Sequence, residues 1–133
     1  MKQFTSKPLL VRYGETDQMG VVHHSNYLRY FEVARLEWLS ALGVSYASME
    51  KEGLIMPVID VKVTYKTPAL FDDSLTIYIF LSELPRVKII FSYEIKNQKD
   101  EIVCTGETTL AFLNAKTRKP VRCPKEFGAL FST

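Results

Sequence analysis

The stretch "SNYLRYFEVARLEWLSALG", which runs from Ser25 to Gly43, decides the fold of this chain. Its apolar residues recur at helical spacing and form one wide stripe: Tyr27, Leu28, Tyr30, Phe31, Ala34, Trp38, Leu39 and Leu42. Ser25 or Asn26 can cap the start of this helix, and Gly43 can end it. Because the stripe is too wide for a helix that lies on a solvated surface, another layer of structure must wrap it.

The second half of the chain supplies that layer as four strand-like segments. In each of them apolar and polar residues alternate, which is typical of half-buried strands: residues 58–67, 75–83, 87–97 and 102–114. The turns between them are short, so the strands are predicted to pair as an antiparallel meander. Tyr78 and Phe80 indicate that the second face of this sheet is partly covered by another subunit.

A shorter β-type run, "LLVRY" at Leu9–Tyr13, precedes the helix. Together these elements predict one domain over residues 1–133. Its fold class is α+β, with an antiparallel sheet of about five strands wrapped round one long central helix.

The composition fits such a domain. A chain of 133 residues that is 47% hydrophobic and 24% charged is ordinary for a globular protein, and it has no apolar run long enough to span a membrane. The net charge of +2 is too small to indicate nucleic-acid binding. The first residues of the sequence include a lysine but no apolar stretch after it, unlike a secretory signal. Neither Cys104 nor Cys123 lies in a CxxC pair. We therefore expect free thiols and a cytoplasmic location.

The loop ahead of the helix, "YGETDQMGVVHHSNY" at Tyr13–Tyr27, gathers two carboxylates and both histidines of the chain. Hydrolysis at a carbonyl carbon needs an attacking oxygen and donors for the charge that develops on the carbonyl oxygen. Asp17 can supply the first as a base or a nucleophile, and unpaired amides at the positive end of the helix dipole can supply the second. Gly20 lets the backbone approach a ligand, and the amides of Val22 and His23 are the predicted oxyanion donors.

The pattern Y-x-E-T-D-x-x-G-V-V-x-H-x-N-Y, followed by an apolar helix and four strands, resembles the hotdog-fold acyl-CoA thioesterases. The resemblance is to the 4-hydroxybenzoyl-CoA thioesterase-like group, which includes the Tol-Pal-associated thioesterases. It implies that Asp17 is catalytic, that Tyr13 and His24 support it, and that no metal or cofactor takes part. It also implies a homodimer or homotetramer whose active sites lie between subunits. His23 departs from the pattern, because relatives usually carry a tyrosine there.

The substrate that this resemblance implies is an acyl-CoA, whose phosphates should meet basic side chains. Arg86 and Lys88, in the turn "LPRVK", are the first candidates, because relatives often place basic residues there. A second basic group lies in the tail: Lys116, Arg118, Lys119 and Arg122. Met56 and Val58 are expected to border the acyl pocket.

Other interpretations stay open for several of these residues. Asp17 can shape the loop through an Asx-turn, His24 can cap the helix, and Tyr13 can be an ordinary strand aromatic. Glu15 is interpreted as a solvated loop charge. Neither a G-x-S-x-G elbow nor the H-x3-H or C-x2-C spacing of a zinc site occurs in the chain. A non-hydrolysing acyl-CoA binder, a hotdog dehydratase and an interaction module are the rival functions.

Overall fold

The central helix confirms the prediction made from its periodicity. In this computed structural model, which describes residues 2–132, helix α1 spans Asn26–Ala41. Its buried face consists of Tyr27, Tyr30, Phe31, Ala34, Arg35, Trp38 and Leu39. Leu28, which the periodicity places in that face, is 42% exposed, whereas Arg35, which it leaves out, is buried. The buried guanidinium of Arg35 donates to the hydroxyl of Tyr93 over 3.1 Å.

The two ends of α1 differ in how well they match the prediction. Gly43 ends the helix at φ +84°, and the Val44 N–H donates to the Leu39 C=O over 2.8 Å, as in a glycine C-cap. At the other end, Ser25 makes no capping hydrogen bond with its side chain. The side chain of Asn26 is not a cap either, because its amide donates to the backbone of the preceding loop.

The remaining elements, within residues 2–132, are short helices and strands. They are β1 (Lys2–Thr5), β2 (Leu9–Leu10), a 3-10 turn (Tyr13–Glu15), α2 (Tyr46–Lys51), β3 (Leu54–Ile55), β4 (Val58–Tyr65), β5 (Ser74–Leu81), β6 (Lys88–Lys96), β7 (Ile102–Ala111), β8 (Leu113–Asn114) and α3 (Lys125–Ala129). The strand predicted over residues 9–13 is therefore limited to Leu9 and Leu10. Strand β1, which was not predicted, pairs with β5. None of these helices is long and apolar enough to cross a membrane.

The main sheet confirms the α+β class but corrects the predicted strand order. Its six strands follow the order β1, β5, β6, β7, β4, with β2 also pairing with β5. The meander of β5, β6 and β7 is as predicted, whereas β4 pairs with β7 and not with β5. Three strand spacings separate β4 from β5, or about 14 Å. The connection over residues 66–73 can reach about 26 Å, so it crosses the end of the sheet easily.

The core lies between α1 and one face of this sheet, as the alternation of the strands predicts. The buried strand residues on that face are Leu75, Ile77, Ile79, Leu81, Ile89, Phe91, Tyr93 and Ile95. Phe31 of α1 stacks on Tyr93 with ring centroids 4.1 Å apart. Gly106 of β7 makes room for this ring, because a Cβ there would lie 2.6 Å from Phe31.

Strand β4 forms an exposed edge of the sheet. Val61 and Tyr65 lie on the side of the sheet that faces α1, where Tyr65 meets Tyr27 with ring centroids 5.4 Å apart. They are nevertheless 37% and 53% exposed. Exposed apolar edge strands are ready to pair with another chain.

Candidate active site

The loop between β2 and α1 folds as a tight hairpin around Asp17. Thr16 and Val22 pair as antiparallel partners. Inside this pair, the Asp17 N–H donates to the Val21 C=O over 2.8 Å, and the Gly20 N–H donates to the Asp17 C=O over 3.0 Å. Gly20 has φ +79°, a conformation that costs glycine little. The glycine therefore serves the turn that presents Asp17.

The carboxylate of Asp17 has one occupied oxygen and one free oxygen. Its Oδ1 accepts the Met19 N–H over 2.8 Å, which is an Asx-turn, and lies 3.4 Å from the Val21 N–H. Its Oδ2 accepts no hydrogen bond from residues 2–132. Asp17 thus shapes the loop through an Asx-turn, as the alternative interpretation predicted, and its second carboxylate oxygen is still available for chemistry. The turn holds the carboxylate in one orientation and keeps Oδ2 unoccupied.

Asp17 lies in an open cleft of about 260 Å³, which we call the loop cleft. The residues that line it are Asp17, Val21, Val22, His24, Tyr27, Tyr65, Lys66, Thr67 and Pro68. The cleft therefore lies between the loop, the start of α1 and the end of β4. Of the predicted catalytic side chains, Asp17 and His24 are brought together here.

The amides of Val22 and His23, which are the predicted oxyanion donors, are both occupied. The Val22 N–H donates to the Ala69 C=O over 2.8 Å, and the His23 N–H donates to the Glu15 C=O over 2.8 Å. These two amides hold the loop against its neighbours, which the sequence does not reveal, so neither has a free N–H for the predicted role. The next amide, that of His24, donates to no acceptor within residues 2–132. His24 lines the loop cleft and lies two residues before the start of α1.

The two histidine side chains are exposed and stacked on each other, with ring centroids 4.2 Å apart. Nδ1 of His23 accepts the Ser25 N–H over 3.2 Å and lies 2.8 Å from the Ser25 hydroxyl oxygen. This arrangement leaves His23 outside the loop cleft and holds His24 at its rim. The His23 side chain therefore fixes Ser25, the residue that precedes α1, and does not cap an N–H group of the helix itself.

Tyr13 does not reach Asp17. It lies in the 3-10 turn, is 76% exposed, and packs edge-on against Phe71 with ring centroids 5.7 Å apart. No hydrogen bond within residues 2–132 joins its hydroxyl to the Asp17 carboxylate. The strand that would have aimed Tyr13 at the site ends at Leu10, so its predicted support of Asp17 is not seen.

Glu15 is the residue of this site that the sequence interpretation misjudged. Its side chain is only 14% exposed and accepts hydrogen bonds from the Arg12 N–H, the Arg12 guanidinium and the Tyr30 hydroxyl. Burial raises the pKa of this carboxyl, but the hydrogen bonds from Arg12 and Tyr30 outweigh burial and hold the pKa below its ordinary value. The sequence does not separate Glu15 from a solvated acid, because its partner Tyr30 lies 15 residues further along the chain, in α1.

Tyr27 is a second residue of this site that the sequence did not indicate. Its ring lines the loop cleft, is 4% exposed, and packs against Tyr65. Its hydroxyl oxygen accepts the Ala69 N–H over 3.4 Å, and burial raises the pKa of this hydroxyl. The hydroxyl therefore stays protonated at neutral pH and lies against the backbone of Ala69 as a neutral group.

The four residues predicted to bind substrate lie away from the loop cleft. Val58 and Tyr65 mark the two ends of β4, about 23 Å apart at 3.3 Å per residue. Lys88 and Arg86 lie at the Val58 end, while Tyr65 borders the loop cleft. Met56 is 6% exposed and belongs to the core. Within one subunit these residues therefore cannot contact a ligand group held at Asp17.

The sequence and the fold match a known family. Residues 11–131 match the thioesterase-like superfamily. The chain belongs to this superfamily. The predicted family, the predicted hotdog fold and the prediction of a thioester hydrolase are thereby confirmed.

Individual relatives cover nearly the whole of this thioesterase. YneP of Bacillus subtilis is 32% identical over 123 residues, which cover 92% of this chain and 89% of YneP. The acyl-CoA thioesterase YbgC of Haemophilus influenzae is 32% identical over 128 residues, which cover 95% and 93% of the two chains. The crystal structure of a DHNA-CoA thioesterase from Staphylococcus aureus superposes with a TM-score of 0.93 at 38% identity, over 99% of this chain and 90% of that one.

Proposed function

We propose that this thioesterase hydrolyses acyl-CoA thioesters to a free carboxylic acid and CoA in the loop cleft. The observation that carries the proposal is that two residues line one cleft: Asp17, whose oriented carboxylate has a free oxygen, and His24, whose backbone N–H has no acceptor within residues 2–132. Asp17 is the base or nucleophile, and the His24 N–H replaces Val22 and His23 as the oxyanion donor. The names of its relatives, which include an acyl-CoA thioesterase, support acyl-CoA as the substrate.

The chemistry follows from these two groups. Oδ2 of Asp17 either removes a proton from water, whose oxygen attacks the thioester carbon, or attacks that carbon itself to form an anhydride that water then cleaves. In both routes the carbonyl oxygen becomes negative, and the His24 N–H at the helix start stabilises it. The C–S bond then breaks, and CoA leaves as a thiolate that takes up a proton. The His24 imidazole, at the cleft rim, orients the water or the carbonyl.

We propose further that the complete site needs two copies of the chain. Pairing of the β4 edges about a two-fold axis runs the two strands antiparallel, so the Val58 end of one copy lies beside the Tyr65 end of the other. This places Arg86, Lys88 and Val58 of the second copy beside the loop cleft of the first. Their basic side chains can then meet the CoA phosphates, as the sequence suggested, although they are remote within one subunit.

The test is a hydrolysis screen over acyl-CoAs of graded chain length together with benzoyl-type and naphthoyl-type acyl-CoAs, the last because a similar structure is that of a DHNA-CoA thioesterase. We expect thiol release with at least one substrate and a loss of about 10²- to 10⁴-fold in Asp17→Asn, because the amide cannot act as a base. Asp17→Asn should fold normally, since its side-chain oxygen can still accept the Met19 N–H.

The control variant is Asp72→Asn, which changes an exposed aspartate at φ +68°, a conformation that asparagine tolerates. It should keep the wild-type rate. The protein's own thiols should add little to the readout, because burial raises the pKa of Cys104 to about 12 and that of Cys123 to about 11. Binding of acyl-CoA without any thiol release would favour the non-hydrolysing binder instead.

A further inference from the structure

Glu15 connects the two limbs of the hairpin that carries the reacting groups. Asp17 lies on the first limb, two residues after Glu15 in the chain. The His24 N–H lies on the second limb, one residue after His23, whose N–H donates to the Glu15 C=O over 2.8 Å. Any displacement of Glu15 therefore changes the distance between the carboxylate and the oxyanion donor.

The same backbone carbonyl also holds the start of the helix. The Asn26 side-chain amide donates to the Glu15 C=O over 2.9 Å. One peptide oxygen thus accepts from the loop and from the first turn of α1. The position of the hairpin relative to the positive end of the helix dipole therefore depends on the position of this oxygen.

The side chain of Glu15 holds that peptide in place. Oε1 accepts the Arg12 N–H over 2.9 Å and the Tyr30 hydroxyl over 3.0 Å, and Oε2 lies 3.1 Å from Nη2 of Arg12. Tyr30 is 1% exposed and belongs to the buried face of α1. The carboxylate therefore attaches the 3-10 turn both to the chain before it and to the core-facing side of the helix.

We infer that Glu15 is a positioning residue for thioester hydrolysis, which aligns the Asp17 carboxylate with the His24 amide without touching the substrate. The inference rests on the proposed function. Its physical basis is that a reacting group displaced by about 1 Å can cost about 10²-fold in rate, while the binding of a substrate held elsewhere changes little. Glu15 does not line the loop cleft, in agreement with an indirect role.

The experiment measures kcat and KM for the wild type and for Glu15→Ala, Glu15→Gln and Tyr30→Phe, each at a temperature well below its own unfolding transition. The substrate is the acyl-CoA that the wild type hydrolyses fastest. We expect Glu15→Ala to lower kcat by about 10- to 100-fold with KM within about threefold. Glu15→Gln should lose less, because an amide oxygen still accepts from Tyr30. Glu50→Gln, which changes an exposed glutamate of α2, should retain the wild-type kcat.

The pair of Glu15 and Tyr30 gives a second readout. If the carboxylate acts through the Tyr30 hydroxyl, the double variant Glu15→Ala/Tyr30→Phe should lose less kcat than the product of the two single losses. A Glu15→Ala variant with wild-type kcat, or with a change confined to KM or to unfolding temperature, would overturn the inference while leaving the proposed function intact. An inactive wild type, in contrast, would refute the proposed function and the inference together.

Discussion

Glu15 binds its proton less readily in the folded protein than in the unfolded chain. Burial raises the pKa of its carboxyl, but hydrogen bonds from Arg12 and Tyr30 more than compensate, so the folded-state pKa lies below the ordinary value of 4.5. The sign of the linkage follows. The stability that this carboxylate contributes is complete above about pH 4.5 and is lost as the pH falls through the lower, folded-state value.

The pH dependence of unfolding checks this expectation. Unfolding temperatures of the wild type and Glu15→Gln, measured from pH 3 to pH 7, should differ most at neutral pH and converge in acid. Glu50→Gln, at an exposed position of α2, controls for the loss of one negative charge. Parallel curves for the wild type and Glu15→Gln would contradict the role of the ionised carboxylate.

At the residue scale, the sequence predicted Asp17 and His24, which line the same cleft, but not the amide that we propose as the oxyanion donor. Asp17 stands out because the motif around it is dense. Val22, His23 and His24 are adjacent amides in one loop, and they differ only in whether a carbonyl from Ala69 or Glu15 reaches them. That difference arises from tertiary contacts, so local spacing could not separate the three.

At the scale of elements, the packing of α1 on the sheet depends on one missing side chain. A Cβ at Gly106 would lie 2.6 Å from Cζ of Phe31 and 2.9 Å from the Lys62 carbonyl oxygen. Phe31 is fully buried and stacks on Tyr93, so it has little space to move. We expect Gly106→Ala to lower the free energy of unfolding by about 1–3 kcal/mol.

Chemical denaturation measures this effect. Gly14→Ala is the control, because a Cβ at Gly14 meets no heavy atom within 4 Å. A destabilisation by Gly106→Ala no larger than that of Gly14→Ala would show that α1 and β7 can separate at low cost. The helix itself was predictable because its period is local, whereas this contact joins residues 75 positions apart in the chain.

At the scale of the whole molecule, the outer edge of β4 has no partner strand within residues 2–132. Its apolar residues alternate as in a half-buried strand, yet Val61 is 37% exposed although it faces the side of the sheet that carries α1. We expect Val61→Glu to weaken self-association, because pairing of two β4 edges would bury one carboxylate from each copy. Hydrolysis should fall with it if, as we propose, a second copy completes the loop cleft.

The test measures two quantities for each variant: the mass of the assembly, by sedimentation or light scattering, and the hydrolysis rate. Ile102→Glu is the matched control, because Ile102 is 38% exposed but lies on β7, inside the sheet. It should keep the wild-type mass. A wild type that is monomeric and fully active, or a Val61→Glu variant that still associates, would remove β4 from the interface.

The sequence by itself determined the central helix, the buried faces of β5 and β6 and the position of Asp17, because each of these depends on a short period or a compact motif. Only the tertiary structure decided that β4 pairs with β7, that Tyr13 packs against Phe71, and that Glu15 is held by Arg12 and Tyr30. These features come from contacts between distant segments. The free energies of these contacts depend on which backbone groups remain unpaired after the chain has packed. The local sequence pattern does not indicate which groups those are.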